Sequence, residues 1–127
     1  MRVVEYRADL CTDSGDSRRG VVMTMGALHD GHARLIRAAR DLDDHVTVTI
    51  FVNPLQFGVN EDLARYPRNL DADLSLCAEL GVNTVYAPAP GDVYLREPVV
   101  TVDPGELGTQ LEGAARPTHF RGVLTVV

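Results

Sequence analysis

The chain has 127 residues and a formal net charge of −6 at neutral pH, with its acidic residues scattered along its length. This length suits a single domain, residues 1–127, that can bury a core. The negative charge argues against a nucleic-acid partner, which needs a basic stripe. No apolar run reaches the roughly 18 residues of a membrane span, and the N-terminus lacks the pattern of a signal peptide. We therefore expect a cytoplasmic protein with a small-molecule site and no membrane partner.

All twelve basic residues are arginine. Without lysine the chain can form neither a phosphate-binding P-loop nor a Schiff base. Its two cysteines, Cys11 and Cys77, lack the spacing of a zinc site, so reduced thiols in the cytosol are expected. We interpret Cys77 as a small buried side chain on a helix.

The first third of the chain predicts a strand, a helix and a second strand. After a short apolar piece and a polar loop within residues 3–20, an apolar run predicts a strand from Gly20 to Thr24. The β-branched run from His45 to Val52 predicts a strand buried on both faces, ended by Asn53-Pro54. Between the strands, helical spacing predicts an apolar stripe opposite a mostly arginine face: Leu35, Ile36, Ala39 and Leu42 against Arg34, Arg37 and Arg40.

The rest of the chain predicts a loop, a helix and further short elements. Residues 55–68 suggest a loop with a helical turn over residues 61–66. A helix is predicted from Asp71 to Leu80 and ends at Gly81, followed by a strand from Asn83 to Ala87. A short strand at residues 98–102 and a short helix at residues 106–111 are further predictions. The buried side of the longer helix is expected to carry Leu70, Leu74, Cys77 and Leu80.

The β-α-β-α-β order with short connections predicts an α/β fold, a parallel sheet with right-handed crossovers and helices on both faces. Ligands of such sheets bind beyond the carboxyl ends of the strands. The segments TMGALHDGH and NPLQFG both follow strand ends. We therefore expect the two segments to face the same crevice.

The turn after the first predicted strand carries an H-x-G-H arrangement, His29, Gly31 and His32. Two imidazoles three residues apart share one face of a helix, and the glycine permits close approach of a ligand. Free N–H groups and the positive end of the following helix dipole favour phosphate there. The imidazoles can donate to phosphate oxygens or transfer a proton. The alternative is that one histidine only caps or packs against the helix.

The NPLQFG loop offers uncharged amides, Asn53 and Gln56, that suit the hydroxyls and carboxylate of a small substrate. The alternative for Asn53 is an Asx turn before Pro54, and both roles are compatible. Thr24 and Met25 lie at a strand end where backbone groups could meet a nucleotide or an acid. Ordinary strand termination is the alternative for that pair.

Charged side chains supply the remaining candidates. Candidate partners for a magnesium ion carried on phosphates are Glu61, Asp62, Asp71 and Asp73. Acidic residues at a helix start more often complement the dipole. The loop EGAARPTHFRG contains candidates for an anionic substrate, or else is a solvated loop: Glu112, Arg116, His119 and Arg121.

Five stretches of the chain resemble, in order and spacing, the pantoate–β-alanine ligase (pantothenate synthetase) family: TMGALHDGH, FVNPLQFG, EDLARYPR, DADL and LEGAARPTHFRGVLTVV. H-x-G-H alone marks a wider nucleotidyltransferase superfamily. Its combination with N-P-x-Q-F and R-P-x-H-F-R-G is highly specific. The resemblance covers nearly the whole chain from Gly20 onward and implies a Rossmann-like fold of the HxGH nucleotidyltransferase type, with a helix that begins in HFRGVLTVV.

The resemblance implies an ATP-dependent ligase that joins pantoate to β-alanine through pantoyl adenylate, with ATP as substrate, Mg²⁺, and a homodimer. It places His32 as proton donor and Gln56 against pantoate and β-alanine. Asn53, Thr24 and Met25 are assigned to the pantoate pocket. The implied ATP-binding stretch is Met25, Gly26, Ala27, Leu28, His29, Asp30, Gly31 and His32.

Two features depart from the family pattern. Met23 stands where many members have proline, and the chain lacks the later G-E-K-D-type and S-S-R-N-type segments and the smaller C-terminal domain. We therefore expect a truncated, N-terminal part of the ligase. One alternative is another H-x-G-H nucleotidyltransferase, such as a phosphopantetheine adenylyltransferase, although NPLQFG and the missing lysine weigh against it. The other is a catalytically incomplete folded or dimer-forming module.

Overall fold

The computed structural model describes residues 1–10, 17–58, 61 and 63–127. These residues belong to two compact units. The first unit comprises Met1–Phe51 and Pro67–Val93, and the second unit comprises Val52–Tyr66 and Tyr94–Val127. Two of the residues discussed above, Cys11 and Asp62, lie outside the described residues. The interpretation of residues 1–127 as one domain stays a prediction.

The first unit contains a parallel sheet of four strands: β1 (Arg2–Val4), β2 (Arg19–Thr24), β3 (His45–Ile50) and β4 (Thr84–Tyr86). The strands lie in the order β1-β4-β3-β2, and all neighbouring pairs are parallel. The sheet confirms the three predicted strands and their parallel arrangement. It adds the edge strand β1, which is too short to show a period and in which only Val4 is buried.

Two long helices connect the strands: α1 (Asp30–Leu42) joins β2 to β3, and α2 (Leu70–Glu79) lies between β3 and β4. Ile36 of α1 and Cys77 of α2 belong to one buried cluster with Val48 and Val85 of the sheet. Both long helices therefore cover the same face. Tyr86, which alternates to the opposite face, donates its hydroxyl to Asp92 of the single-turn helix α3 (Pro90–Val93), at 2.9 Å. The α/β fold class is confirmed.

The predicted apolar stripe of α1 is partly wrong. Leu35 and Leu42 are 58% and 63% exposed, whereas Ala33 and Ile36 are buried. Successive helical residues are rotated by about 100°, so the face that centres on Ala33 and Ile36 turns Leu35 towards solvent. In α2 the stripe is confirmed at Cys77, but Leu70 at the first position of the helix is 44% exposed.

In its described residues, the second unit consists of 3₁₀ turns and two helices, α4 (Glu112–Ala115) and α5 (His119–Val126). The turns span Pro54–Gln56, Leu63–Arg65 and Glu106–Thr109, so the two predicted helical segments here are present as single turns. Helix α5 forms where the resemblance implied one. The strand predicted at residues 98–102 is wrong: its valines at 99 and 100 are each 82% exposed, without the burial that would favour a strand.

Across the described ranges, none of the helices combines the length and the apolar composition required to cross a lipid bilayer.

Candidate active site

The turn that follows β2 reverses the chain through unusual backbone geometry. Thr24 ends the strand, and its buried hydroxyl donates to Thr49 O at 2.7 Å while accepting from Gly26 N at 3.1 Å. Gly26 and Ala27 have φ angles of 83° and 52°. A Cβ on Gly26 would lie 3.0 Å from Asp73 Oδ2, so both the angle and the space require glycine. Ala27 adopts the left-handed region at a cost.

A buried carboxylate from α2 holds this turn. Asp73 is 4% exposed, and its Oδ2 accepts from Ala27 N at 3.0 Å while its Oδ1 accepts from Leu28 N at 2.8 Å. The two hydrogen bonds fix the backbone immediately before His29. Sequence reasoning named Asp73 as a metal candidate but missed this role. The available signal was its position four residues before Cys77, on the buried side of a helix.

The two histidines cap the start of α1 reciprocally. His29 is the N-cap, and its Nδ1 accepts from Gly31 N at 3.1 Å. His32 Nδ1 accepts from His29 N at 3.3 Å, and the ring centroids lie 4.1 Å apart. The structure confirms that the imidazoles share one face, and it shows that both rings cap the helix. The alternative that a ring only caps stays untested. Because each Nδ1 accepts a backbone N–H, each neutral ring carries its proton on Nε2.

The local environment keeps His32 neutral. Burial is the main cause that lowers the pKa of His32, and the neighbouring His29 lowers it further, while the carboxylate of Asp73 opposes both. At neutral pH the ring is therefore a neutral Nε2–H donor. His32 also lies in the first turn of α1, where the positive end of the helix dipole favours a negatively charged ligand.

The expectation of free backbone N–H groups in this turn is wrong for most of its amides. Side chains of the turn itself and of α2 already accept the hydrogen bonds of five of them: Gly26, Ala27, Leu28, His29 and Gly31. A ligand at this turn would thus meet the Nε2–H groups of the imidazoles rather than these five backbone donors.

Asn53, which follows β3, is the centre of a second cluster. The side chain is 1% exposed, and its Oδ1 accepts from Leu55 N at 3.2 Å and from Tyr94 Oη at 3.0 Å. Its Nδ2 donates to Gln56 Oε1 and to Gly122 O, both at 3.0 Å. The Asx-turn interpretation is confirmed. These four bonds use the full capacity of the amide, and they fix Gln56, whose Oε1 is turned towards Asn53.

A glycine in α5 allows that contact. A Cβ on Gly122 would lie 2.3 Å from Leu55 O, so only glycine lets the helix backbone approach the 3₁₀ turn this closely. Tyr94 and Gly122 were both missed by sequence reasoning. Each lies far along the chain from Asn53, and no local pattern connects them.

Arg116 and His119 also contact the Gln56 segment. Arg116 Nη2 donates to Gln56 O at 3.1 Å, and His119 Nδ1 lies 3.2 Å from the same oxygen. The Arg116 guanidinium further pairs with Glu61 and, at 3.4 Å, with Glu112. The loop is therefore packed and hydrogen-bonded rather than merely solvated. These contacts give both side chains a structural partner at the predicted acid-binding residue.

The acidic candidates for Mg²⁺ are engaged separately. The Gly58 N–H bond to Glu61, followed by the hydrogen bond and charge of Arg116, lowers the pKa of Glu61. Asp73 holds the turn before His29, and Asp71 is exposed at the start of α2. No group of three or more metal-ligating side chains occurs within the described part of the chain. The described acidic residues do not fit a dedicated magnesium site.

The candidate residues thus form two clusters. His29 and His32 belong to the first unit, while Asn53, Gln56 and the loop residues belong to the second unit. The segments leave the sheet from neighbouring strands, since Thr24 pairs with Ile50. Convergence of the two clusters on one crevice stays a prediction.

Comparison with curated proteins finds close relatives that are much longer than this chain. The chain is 56% identical over 128 residues to a pantothenate synthetase of Salinispora arenicola (strain CNS-205), with 98% of this chain and 45% of the relative covered. It is 61% identical over 114 residues to that of Streptomyces coelicolor (strain ATCC BAA-471 / A3(2) / M145), with 87% and 34% covered. The chain therefore spans less than half the length of these relatives.

Solved structures give the same result. A pantothenate synthetase from Thermus thermophilus superposes with a TM-score of 0.91 at 43% identity, covering 99% of this chain and 46% of that one. A pantoate-beta-alanine ligase from Francisella tularensis, complexed with beta-gamma ATP and beta-alanine, gives 0.87 at 37% identity, with 99% and 50% covered.

The match to a family model extends over almost the entire sequence. The model described as Pantoate-beta-alanine ligase matches residues 2–127. The match includes the turn over Met25–His32, called the imidazole turn below, and the turn over Asn53–Gln56, called the amide turn below. It therefore agrees with the resemblance found in the motifs. The chain belongs to the pantoate-beta-alanine ligase family.

Proposed function

We propose that this chain supplies the N-terminal part of an ATP-dependent ligase that condenses pantoate with β-alanine. The observation that carries the proposal is the reciprocally capped imidazole pair of His29 and His32, at the start of a helix that follows a parallel strand. Relatives named for this activity and a relative solved with beta-gamma ATP and beta-alanine support it. Because the chain spans less than half the length of these two relatives, we propose the complete activity only for a whole protein of which this chain would be one part.

The proposed reaction has two steps. A carboxylate oxygen of pantoate attacks the α-phosphorus of ATP, the bond to the bridging oxygen breaks, and pyrophosphate leaves. The amine of β-alanine then attacks the acyl carbon of pantoyl adenylate, AMP leaves, and the amine loses a proton. Negative charge grows on phosphate oxygens in the first step, where fixed N–H donors lower the barrier most.

The imidazole turn is proposed to bind ATP along Met25–His32. The Nε2–H groups of His29 and His32 would donate hydrogen bonds to phosphate oxygens. The proton-donor role that the resemblance gives His32 would then be a hydrogen bond to the developing charge, since the neutral ring keeps its Nε2 proton. The dipole of α1 adds favourable potential for the developing charge. The engaged amides of this turn support imidazoles, rather than a backbone cradle, as the phosphate donors.

The second cluster is proposed to bind the acid substrates. Gln56 would orient pantoate and then β-alanine. In the first unit, the strand-end residues Thr24 and Met25 are also proposed to bind pantoate. Asn53 already uses all four of its hydrogen-bonding positions, which favours an action through Gln56 over direct contact. Arg116 and His119 are proposed to support the same residue from its backbone oxygen.

We further propose that Mg²⁺ accompanies ATP on its phosphate oxygens. The described acidic residues do not fit a separate site, so we assign this ion to the nucleotide rather than to the protein. A cytoplasmic homodimer without nucleic-acid or membrane partners completes the proposal, and the acidic net charge supports the absence of nucleic acid.

Calorimetric titration of the 127-residue chain with ATP and Mg²⁺ tests the proposal. The decisive variant is His29→Asn combined with His32→Gln, because asparagine at an N-cap and glutamine at the third helical position preserve the caps. We expect binding by the parent chain and a loss of about tenfold or more in affinity in the variant. His45→Asn, in β3, is the control and should bind normally.

Absence of ATP binding by the well-folded parent chain would contradict the nucleotide assignment for this part of the ligase. Sedimentation that shows a dimer, together with flat titrations of ATP and pantoate, would instead favour a folded module that needs further protein for ligand binding. Equal affinity of the parent and the double variant would show that the imidazoles are only caps.

A further inference from the structure

A single acidic side chain connects helix α2 to the imidazole turn. Both oxygens of Asp73 accept backbone hydrogen bonds, from Ala27 N at 3.0 Å and from Leu28 N at 2.8 Å. The carboxylate is 4% exposed. It is buried and pairs with neutral donors rather than with a cation, an arrangement that proteins maintain only when the hydrogen bonds are well formed.

The backbone that Asp73 holds is strained. Ala27 has a φ of 52°, a left-handed conformation that disfavours residues with a Cβ, and Gly26 before it has a φ of 83°. Such a conformation persists only where its surroundings determine it. The two hydrogen bonds from Asp73 act on the strained residue itself and on the residue after it.

The held segment leads directly into the imidazole pair. Leu28, the second donor to Asp73, immediately precedes His29, whose N–H donates to His32 Nδ1. A rotation of the peptide before His29 would therefore displace this N–H and release the ring of His32. The orientation of both imidazoles depends on the same short stretch of backbone.

We propose that Asp73 is a positioning residue: by fixing the strained Ala27–Leu28 backbone it sets the orientation and tautomer of His29 and His32. It acts through the turn and touches no ligand. What the oriented imidazoles bind rests on the proposed function, but the anchoring itself does not. The proposal also assigns both carboxylate oxygens to the backbone, leaving Asp73 no role as a magnesium ligand.

Nuclear magnetic resonance of the ¹⁵N-labelled parent chain tests the anchor without any ligand. The amide protons of Ala27 and Leu28 should be shifted downfield and protected from exchange, and both imidazoles should report protonated Nε2. Fast exchange of both amides would overturn the proposal. A shift of these amides on addition of Mg²⁺ alone would also overturn it, because the carboxylate would then be a metal ligand.

Substitution tests whether the anchor positions the imidazoles. Asp73→Asn keeps the shape but replaces one acceptor with an NH₂ group that faces another N–H. We expect mixed imidazole tautomers and a loss of about tenfold or more in ATP affinity, measured well below the unfolding temperature. Asp71→Asn removes an exposed carboxylate from the same helical turn and should leave both readouts within about twofold.

The outcomes separate this proposal from the proposed function. Normal tautomers and normal ATP affinity in Asp73→Asn would overturn the anchor while leaving the function intact. Parent protein with protected amides and no ATP binding, and with tautomers that change in Asp73→Asn, would support the anchor and contradict the function. A merely structural role would lower the unfolding temperature of Asp73→Asn without changing tautomer or affinity.

Discussion

The two clusters follow neighbouring parallel strands, yet they are held in different ways. The imidazole turn depends on one buried carboxylate, Asp73, which accepts two backbone hydrogen bonds. The amide turn depends on a neutral hub, Asn53, whose four hydrogen bonds reach the turn, α5 and Tyr94. Side chains from distant parts of the sequence stabilise both turns.

The two turns differ in the kind and number of hydrogen bonds that stabilise them. At the imidazole turn the Asp73 carboxylate accepts hydrogen bonds from a backbone with positive φ angles. The strained residues and the hydrogen-bond donors to Asp73 all lie within residues 26–28. At the amide turn the backbone is ordinary, since Asn53 has a φ of −73°, and the support comes from several neutral contacts. We therefore expect substitution of Asn53 to lower the free energy of unfolding strongly. Changes at the imidazole turn should mainly alter the orientation of His29 and His32.

The largest expected effect follows from Asn53→Ala. The substitution removes four hydrogen bonds, two of them buried, and leaves Gln56 Oε1 and Gly122 O without their donor, which should destabilise the second unit by about 3 kcal/mol. Hydrogen exchange measures this loss, because amides in the second unit should exchange faster while those in the first unit should not.

Asn69→Ala is the matched control for the hub. Asn69 is the exposed N-cap of α2 and accepts one hydrogen bond, from Ala72 N at 3.2 Å, so its loss should cost about 1 kcal/mol. Equal costs for the two asparagines would show that Asn53 is an ordinary cap and that the contrast between the turns is wrong.

A smaller effect is expected from Gly26→Ala, at the imidazole turn. The new Cβ would require a left-handed alanine and would lie 3.0 Å from Asp73 Oδ2 and 3.1 Å from Ile50 Cγ2. The combined strain and crowding should cost about 2 kcal/mol, measured by denaturant unfolding. The imidazole tautomers should change together with stability.

Gly91→Ala provides the comparison for this substitution. Gly91 lies in the single-turn helix α3, and a Cβ there would meet no atom within 4 Å. Its effect should stay within about 0.5 kcal/mol. A similar result for Gly26→Ala would contradict the view that the turn is tightly determined.

The same contrast explains what the sequence could predict. Strands β2, β3 and β4 and helices α1 and α2 follow from periodicity, and the end of α2 follows from Gly81, whose φ is 72°. These features depend on neighbours within a few positions. The histidines were found for the same reason, because their spacing is local.

The residues that hold the two clusters could not be predicted in this way. Asp73 lies 45 positions from Leu28, and Tyr94 lies 41 positions from Asn53. No local pattern indicates such pairs, because their contact depends on how distant segments pack. The exposed valines at 99 and 100 show the converse error, since β-branched residues alone do not form a strand without a partner.

The smallest expected effect is the pH dependence of the imidazole turn. Burial and His29 lower the pKa of His32, while Asp73 raises it. The pKa of His32, measured by nuclear magnetic resonance, should therefore shift in opposite directions in two variants. His29→Asn, which keeps the N-cap, should raise the pKa of His32, and Asp73→Asn should lower it further.

The sign of the stability change follows from the same shift. Because folding lowers the pKa of His32, the folded state favours the neutral ring, and this contribution is present above the ordinary histidine pKa. It is lost as the pH falls through the lowered value, where protonation of Nδ1 would displace the His29 N–H. His32→Gln should remove this part of the acid sensitivity, while the part due to His45, whose pKa burial also lowers, should remain. Unchanged acid sensitivity in His32→Gln would contradict the prediction that folding lowers the pKa of His32.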